Sequence, residues 1–399
     1  MFRSCFAAAL IAVANAQEQV PVVITNKLSS GYMSTAYLGS PQQDSITPKF
    51  YYNWSESASI VTLKDCVPDV ECQASSQYYD PSASSTATET PTKTGTVNGV
   101  EGTQVADVIC VQDNATSCTK ADFIFYNTYS DTGDDDNTPQ NGIIGIGMPS
   151  SAAKSMHIAQ GLFDSGATPE ASFSLAGRAD GTIDLSFGGF TAAENESNDL
   201  RRMVNDAKPT SGGQWSMGFD GDYFGSEEIN EENPIKPSVA SQIMFSQYSD
   251  FVILPETTFN TIKTTLGADF KTYNNGANLG SASSCDTYAE NGIFWRLQAA
   301  TQYTFVVGPQ GYLLPADSIA KAEGINCMTF FQNSGQADGF GFYTFGKYFL
   351  NQFAFKFDLA ATTVTAQLNT QASTGSELLG ALSGLSVAFA AAATALLAF

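Results

Sequence analysis

The chain has 399 residues and carries 40 acidic residues against 18 basic ones, which gives a formal net charge of −22. This acidic balance excludes the basic patch that nucleic-acid binding requires and leaves no polybasic segment for a membrane surface. The single histidine, His157, excludes metal sites built from clustered histidines and leaves one imidazole for any serine or cysteine triad. We therefore expect no metal and no cofactor.

Residues 1–16 are typical of a cleaved secretory signal. Arg3 precedes an apolar run over residues 6–13, and Ala14-Asn15-Ala16 is a small-residue cleavage site. Cys5 belongs to this signal, and the six other cysteines suit three disulfides in the oxidising compartment that a secreted protein enters. Pairing neighbours along the chain predicts the disulfides Cys66–Cys72, Cys110–Cys118 and Cys285–Cys327.

The body of the chain, from residue 17 to residue 372, is too long for one small core and suits two lobes. It consists mostly of short alternating or apolar runs rich in Val, Ile, Phe, Tyr and Thr, separated by Gly, Pro, Asn and Ser. This pattern predicts an all-β chain, mainly strands with a few short helices. We expect an N-terminal lobe over residues 24–200 and a C-terminal lobe over residues 201–372.

Helix-period patterns are confined to three segments, which are Ser151–Gln160, Glu256–Leu266 and Ala316–Glu323. His157 lies in the first of them, where we expect it on the surface or at a helix cap. Residues 82–96 are rich in Ser and Thr and predict a glycosylated or mobile loop. Three sequons provide candidate glycosylation sites, at Asn53, Asn114 and Asn195.

The C-terminal segment 373–399 is typical of a glycolipid (GPI) anchor signal. A small polar stretch with the candidate anchor residues Ser373, Gly375 and Ser376 precedes an apolar run, and no Lys or Arg follows Lys356. A membrane-spanning helix would normally carry basic residues on its cytoplasmic side. We therefore expect the tail to be removed and a lipid to hold the protein at the outer cell surface, with a true C-terminal span as the alternative.

Further motifs occur in the same order as in pepsin-like aspartic proteases. In the first half they are Tyr37–Gln43, Tyr79–Thr86, Asn141–Gly147, Ala171–Leu175 and Phe187–Gly189. In the second half they are Trp215, Gly311–Pro315, Phe345–Leu350 and Phe355–Asp358. The chain resembles this family over residues 32–368, which is nearly all of the expected mature protein. The resemblance implies a bilobal pepsin-like fold with a central cleft, and we expect a monomer.

The resemblance also implies one catalytic aspartate per lobe, in an Asp-Thr/Ser-Gly-Ser/Thr loop after an apolar strand. Two such aspartates share one proton, so that one acts as a base toward water and the other as an acid toward the peptide carbonyl. Ungapped counting from the neighbouring apolar strands puts Asn53 and Ser246 at these positions. Neither side chain ionises at working pH, so the sequence predicts loss of both catalytic groups. Thr94 and Gly95 stand where the family has its flap tyrosine.

Three functions remain open. We expect a pseudo-protease whose cleft binds a peptide, a protein or a glycan. The first alternative is an active aspartic-type endopeptidase that uses Glu56 and Asp250, the acids in the two altered loops. The second is a structural surface glycoprotein without a ligand.

Asp131-Thr132-Gly133 spells the family signature, but the acidic residues after it indicate a polar turn. A glycan on Asn53 would plug the cleft if that residue were accessible.

Overall fold

Strands far outnumber helices among the described residues, and the predicted all-β fold class is confirmed. The computed structural model describes residues 23–369 apart from 30–31, 44–49, 65–78, 130–140, 179, 192–202, 210–212, 229–231, 233, 238–241, 247–248, 300–303 and 336–341. The strands of the first half are β1 Ile24–Leu28, β2 Met33–Ser34, β3 Tyr37–Leu38, β4 Phe50–Asn53, β5 Ile60–Thr62, β6 Thr88–Val97, β7 Val100–Ala106, β8 Ile109–Cys110, β9 Ile124–Thr128, β10 Gly142–Gly145, β11 Ser172–Gly177 and β12 Ile183–Phe187. Those of the second half are β13 Met203–Pro209, β14 Trp215–Gly225, β15 Lys236–Pro237, β16 Gln242–Phe245, β17 Val252–Leu254, β18 Phe270–Tyr273, β19 Asn278–Ser281, β20 Phe294–Ala299, β21 Thr304–Val307, β22 Leu313–Pro315, β23 Cys327–Asn333, β24 Phe342–Phe345, β25 Phe353–Asp358 and β26 Thr363–Leu368.

Several predicted features lie outside the described residues, namely the signal 1–16, Cys66 and Cys72, the turn at 131–133, Asn195, and the anchor segment 373–399 with Ser373, Gly375 and Ser376. The bounds of the two lobes stay predictions.

The other two predicted disulfides, Cys110–Cys118 and Cys285–Cys327, are confirmed. Among the described residues, no helix is both long enough and apolar enough to cross a bilayer.

The described residues contain five short α-helices, α1 Ile158–Ser165, α2 Glu256–Leu266, α3 Pro309–Tyr312, α4 Ser318–Ala322 and α5 Lys347–Leu350. The bounds of α2 are as predicted, because Pro255 precedes the helix and Gly267 follows it. The predicted helical segment Ser151–Gln160 is wrong in its bounds. His157 has an extended backbone and caps α1, which therefore begins at Ile158. Asp317 caps α4 in the same way, so this helix is shorter than predicted.

The segment predicted as a loop at residues 82–96 is mostly a strand. β6 pairs with β7 through a two-residue turn, Asn98-Gly99, in which both residues have positive φ. Such a turn matches the twist of a β-hairpin. Pro91 is tolerated because β6 is an edge strand of its seven-stranded sheet. The Ser- and Thr-rich composition therefore belongs in large part to an exposed edge hairpin.

The two lobes repeat one strand arrangement. In the first lobe, β10 lies between β4, to which it is parallel, and β5, to which it is antiparallel. In the second, β24 lies in the same way between β16 and β17. A further parallel strand flanks each unit, β9 beside β5 and β23 beside β17. The loops after β4 and β16 therefore occupy equivalent places in the two lobes.

Strands from both halves join the lobes in one continuous sheet. β1 and β11 pair with β12, β11 pairs with β25, and β25 pairs through β26 with β13. Phe173 and Phe357 face each other at the junction of β11 and β25. Both side chains are fully buried. This junction lies beside the loops on which the candidate site is built.

The motif Tyr79–Thr86 has a structural role. Asp107 is fully buried, and its carboxylate accepts hydrogen bonds from the Tyr79 hydroxyl at 2.6 Å, from the Thr86 hydroxyl and from the Val108 amide at 2.8 Å. Burial, followed by this carboxylate, raises the pKa of the Tyr79 hydroxyl. The motif is thereby tied to the end of β7, at the base of the hairpin.

We expect Asp107→Ala to lower the free energy of unfolding by about 3 kcal/mol, because it leaves two hydroxyl donors and one amide without their buried acceptor. Urea denaturation at neutral pH measures the loss. Asp113→Ala removes an exposed carboxylate close by and is the matched control. Equal losses in the two variants would contradict this assignment.

Candidate functional site

The first loop is counted from Asn53, the last residue of β4, whose side chain is fully buried. Its Oδ1 accepts a hydrogen bond from the Ser55 amide at 2.8 Å, and its carbonyl oxygen accepts one from the Ile146 amide at 2.9 Å. The first of these bonds forms an Asx turn, which fixes the direction of the side chain. A carboxamide does not titrate, so position 53 offers hydrogen bonds and no exchangeable proton for acid–base chemistry.

Ser246 begins the corresponding loop of the second lobe, directly after β16. Its amide donates to the carbonyl oxygen of Phe345 at 3.0 Å, and its side chain is half-buried. Asp250, the acid of this loop, is exposed. The side chain of Ser246 is a hydroxyl, which is a donor and an acceptor but not a base at neutral pH.

Two glycines lie directly against the two loops. A Cβ on Gly145 would overlap the backbone of Ala58, and a Cβ on Gly346 would overlap the backbone of Ser249 and Phe251. Ala58 and Phe251 each lie five residues after the first residue of their loop. Each loop thus passes against the glycine at the end of its central strand, in a similar place in the two lobes.

Aromatic rings fill the contact between the lobes directly beside these loops. Trp54, the second residue of the first loop, stacks on Phe245, the last residue of β16, with ring centroids 5.6 Å apart and planes 8° apart. Trp54 also meets Phe173 and Phe357 edge-on, at 6.4 and 5.4 Å. All four side chains are buried. A buried aromatic contact therefore lies between the first residues of the two loops.

Glu56 binds the tip of the β6–β7 hairpin. Its Oε1 accepts a hydrogen bond from the Asn98 amide at 2.8 Å across 42 residues of sequence. Its carbonyl oxygen accepts one from the Gly147 amide at 2.6 Å. Burial raises the pKa of the Glu56 carboxyl, and the hydrogen bond from Asn98 offsets part of this rise. The side chain is half-buried and fixed at a defined place.

Asp250 has a different environment. Its charge adds to burial, the larger cause, in raising the pKa of the buried Tyr32 hydroxyl. It raises the pKa of the Tyr348 hydroxyl in the same way, again after burial. By contrast, the pKa of Glu56 is set by burial and by the Asn98 amide. The two acids therefore have separate partners.

Thr94 and Gly95 lie on the hairpin, within β6, and the turn itself is Asn98-Gly99. Thr94 is exposed. Gly95 lies against the Tyr126 ring, which a Cβ at this position would overlap. Sequence reasoning found the hairpin residues but missed its tip, which the Asn-Gly pair would have indicated.

A segment of the second half crosses the first loop. Gln214 donates from Nε2 to the Ser55 hydroxyl oxygen at 2.8 Å, and the Met148 amide donates to the Gly213 carbonyl oxygen at 2.6 Å. Gln214 and Ser55 are both half-buried. These contacts add polar groups to the region between the lobes, and sequence reasoning did not single them out because they join residues distant in the chain.

His157 is fully buried behind this region. Its Nδ1 accepts a hydrogen bond from the Ala159 amide at 3.1 Å, and its ring stacks on Phe173 at 5.9 Å. The predicted cap role is confirmed, and the surface alternative is wrong. Burial lowers the pKa of His157 to about 4, although the backbone of Ile146 and Gly147 opposes this shift. The imidazole is therefore neutral at neutral pH.

The sequons differ in exposure. Asn53 is fully buried, so the folded loop shields its side chain from a glycosyltransferase. Asn114 is exposed, and its Oδ1 accepts hydrogen bonds from the amide and hydroxyl of Thr116.

Within the described ranges, no three His, Cys, Asp or Glu side chains are grouped so as to hold a metal ion.

Comparison with known proteins agrees with the strand arrangement. A family model described as eukaryotic aspartyl protease matches residues 31–368. The solved structure of an aspartic proteinase from Irpex lacteus is similar, with a TM-score of 0.60 and 14% sequence identity over 88% of this chain and 99% of that chain. At this identity the likeness concerns the fold. A search of curated proteins finds no match.

We expect Trp54→Ala to lower the free energy of unfolding by about 3 to 5 kcal/mol, because it removes a large buried ring from the contact between the lobes. Calorimetry or denaturant titration measures the change. Tyr129→Ala, at a ring that is 55% exposed, is the control and should cost less than about 0.5 kcal/mol. A small loss at Trp54 would show that the aromatic contact does not hold the lobes together.

His157 should make stability depend on pH. Its folded pKa of about 4 lies below its ordinary value of 6.5, so the unfolded chain takes up a proton that the folded chain excludes. The folded state therefore loses about 3 kcal/mol as the pH falls from 6.5 to 4, and none of this loss occurs above pH 6.5.

His157→Asn retains a capping side chain without the titration. We expect the difference in unfolding free energy between the wild type and this variant to shrink by that amount between pH 7 and pH 4. Parallel pH profiles of the two proteins would contradict the interpretation.

Proposed function

Because the chain belongs to the eukaryotic aspartyl protease family, we propose that it is a cell-surface pepsin-like protein that has lost both catalytic aspartates. Its cleft holds an extended peptide segment of a partner and does not cleave it. The observation that supports this proposal is the similar placement of the two loops, together with the ungapped counting that assigns the amide of Asn53 and the hydroxyl of Ser246 to the paired positions. Hydrolysis by this family needs two carboxyl groups there.

The remaining groups favour binding over chemistry. Ser55, Glu56, Gln214 and Ser246 are half-buried, and all carry donors or acceptors that a peptide backbone can use. A concave site with a few fixed polar groups is the usual form of a ligand site. Losing one general acid or base costs on the order of 10² to 10⁴ in rate, and this site lacks both. Binding without turnover is therefore the expected outcome.

The alternative function is an active endopeptidase that uses Glu56 and Asp250. It requires the two carboxyl groups to lie close enough to share a proton. Glu56 instead binds the Asn98 amide, and Asp250 is exposed beside Tyr348. These separate environments favour the proposal that the site binds a peptide without cleaving it.

The location is part of the proposal. The apolar segment 373–399 without basic residues supports a lipid anchor, and residues 1–16 support secretion. Exposed Asn114 supports a glycoprotein. Release of the protein from intact cells by a phospholipase that cuts glycolipid anchors tests the anchor directly.

The activity is tested with purified protein and a mixed peptide library from about pH 3 to about pH 7. We expect no cleavage product by mass spectrometry at any pH, and saturable retention of a subset of intact peptides. Glu56→Gln is the matched variant for the endopeptidase alternative. Cleavage at acid pH that this variant abolishes would overturn the proposal and establish the relocated acids as catalytic. Absence of both cleavage and saturable retention would favour a structural glycoprotein.

A further inference from the structure

A groove in the second lobe lies between helix α2 and strand β18, and its volume is about 700 Å³. Asn260, Lys263 and Thr264 line it from the helix, where spacings of three and four residues put them on one face. None of its described lining residues belongs to the two loops of the candidate site. The groove is therefore a second concave surface, distinct from the cleft to which the proposed function refers.

The opposite wall of the groove is an edge of β18. Phe270, Lys271 and Thr272 are consecutive in the strand, and all three line the groove. Successive side chains of a strand point to opposite faces of the sheet, so a groove lined by three consecutive residues runs along the edge of the strand. Within the described residues β18 pairs with β19 alone, and this edge therefore has no neighbouring strand.

The main chain of Thr272 points into the groove. The Phe270 amide donates to the Gly267 carbonyl oxygen at 3.2 Å. Opposite Phe270 on β19, the Ser281 carbonyl oxygen accepts from the Asn326 amide at 2.9 Å. Phe270 and Ser281 thus form a non-hydrogen-bonded pair of the β18–β19 ladder. Because main-chain direction alternates along an antiparallel strand, Thr272 also directs its N–H and C=O groups away from β19. Such groups are available to pair with an added strand.

The groove carries positive charge on a strongly acidic chain. Lys263 is half-buried on the helix wall, and Lys271 is exposed on the strand wall. The described lining residues include no acid, although the net charge of the chain is −22. Among the described residues, no carboxylate lies within ion-pair distance of either lysine. Charge complementarity therefore favours an acidic ligand.

We propose that this groove binds an extended acidic segment of a partner protein, which adds to β18 as a further strand. Its main chain pairs with Thr272, and its carboxylates meet Lys263 and Lys271. Main-chain hydrogen bonds supply the affinity of such strand addition, and the side chains supply its specificity. The unpaired edge and the two cations are separate observations that fit the same ligand. The inference does not depend on the proposed function.

Lysines on an edge strand also protect a sheet against unwanted pairing, and a binding experiment distinguishes the two roles. The probe is a short fluorescent peptide of alternating Asp and Val residues, followed by anisotropy with the purified full-length protein. We expect saturable binding that Lys263→Gln and Lys271→Gln each weaken about threefold, because each removes one exposed ion pair. The double variant should weaken it about tenfold. Lys120→Gln, at an exposed lysine of the first lobe, is the matched control and should leave affinity unchanged.

A peptide of the same sequence with methylated main-chain amides keeps its charge but cannot donate to the strand edge, and we expect it not to bind. Equal binding of the methylated peptide would show attraction by charge alone and would overturn the proposal. Affinity that neither lysine variant changes would place the peptide elsewhere, for example in the cleft, and would also overturn it. Absence of saturable binding would leave the lysines as protection of the edge. Lysine-dependent retention of polygalacturonate without binding of the peptide would replace the partner protein with an acidic glycan.

Discussion

The stack of Trp54 on Phe245 is the contact on which the relation between the two lobes depends. It joins the second residue of one loop to the residue before the other, and Phe173 and Phe357 enclose it from the sheet that the lobes share. Aromatic rings of this size bury large areas and prefer such stacked and edge-on geometry. Apolar rings fill the space in which acid catalysis would need small residues and hydrogen-bond donors around two carboxylates.

The polar groups at this junction are arranged accordingly. Asn53 is held by an Asx turn, Ser246 by the Phe345 carbonyl, and Ser55 by Gln214 from the other half of the chain. None of these side chains titrates in the ordinary range. The site therefore combines fixed hydrogen-bonding groups with a buried aromatic base, which supports the proposed binding role.

Local features of this fold could be predicted from the sequence, and distant ones could not. Helix α2 was predicted with its bounds because Pro255 and Gly267 mark both ends within the chain itself. The loop positions of Asn53 and Ser246 followed from the spacing of neighbouring strands. The strand β6 and the tip of the hairpin were missed because the Ser- and Thr-rich composition of residues 82–96 outweighed the Asn98-Gly99 turn signal. Burial of His157 and the bond from Asn98 to Glu56 depend on how the chain returns on itself, which periodicity does not reveal.

The surroundings of Glu56 distinguish two uses of a carboxylate in this fold. Hydrolysis needs a second acid close by, so that one group is protonated while the other is not, and it needs access for water. Fixing the tip of a hairpin needs only a single acid and an amide donor in reach. Glu56 meets the second set of requirements, because its partner is the Asn98 amide and burial is the main influence on its pKa. The acid that sequence reasoning offered as a substitute catalyst therefore holds the tip of the β6–β7 hairpin through the Asn98 amide.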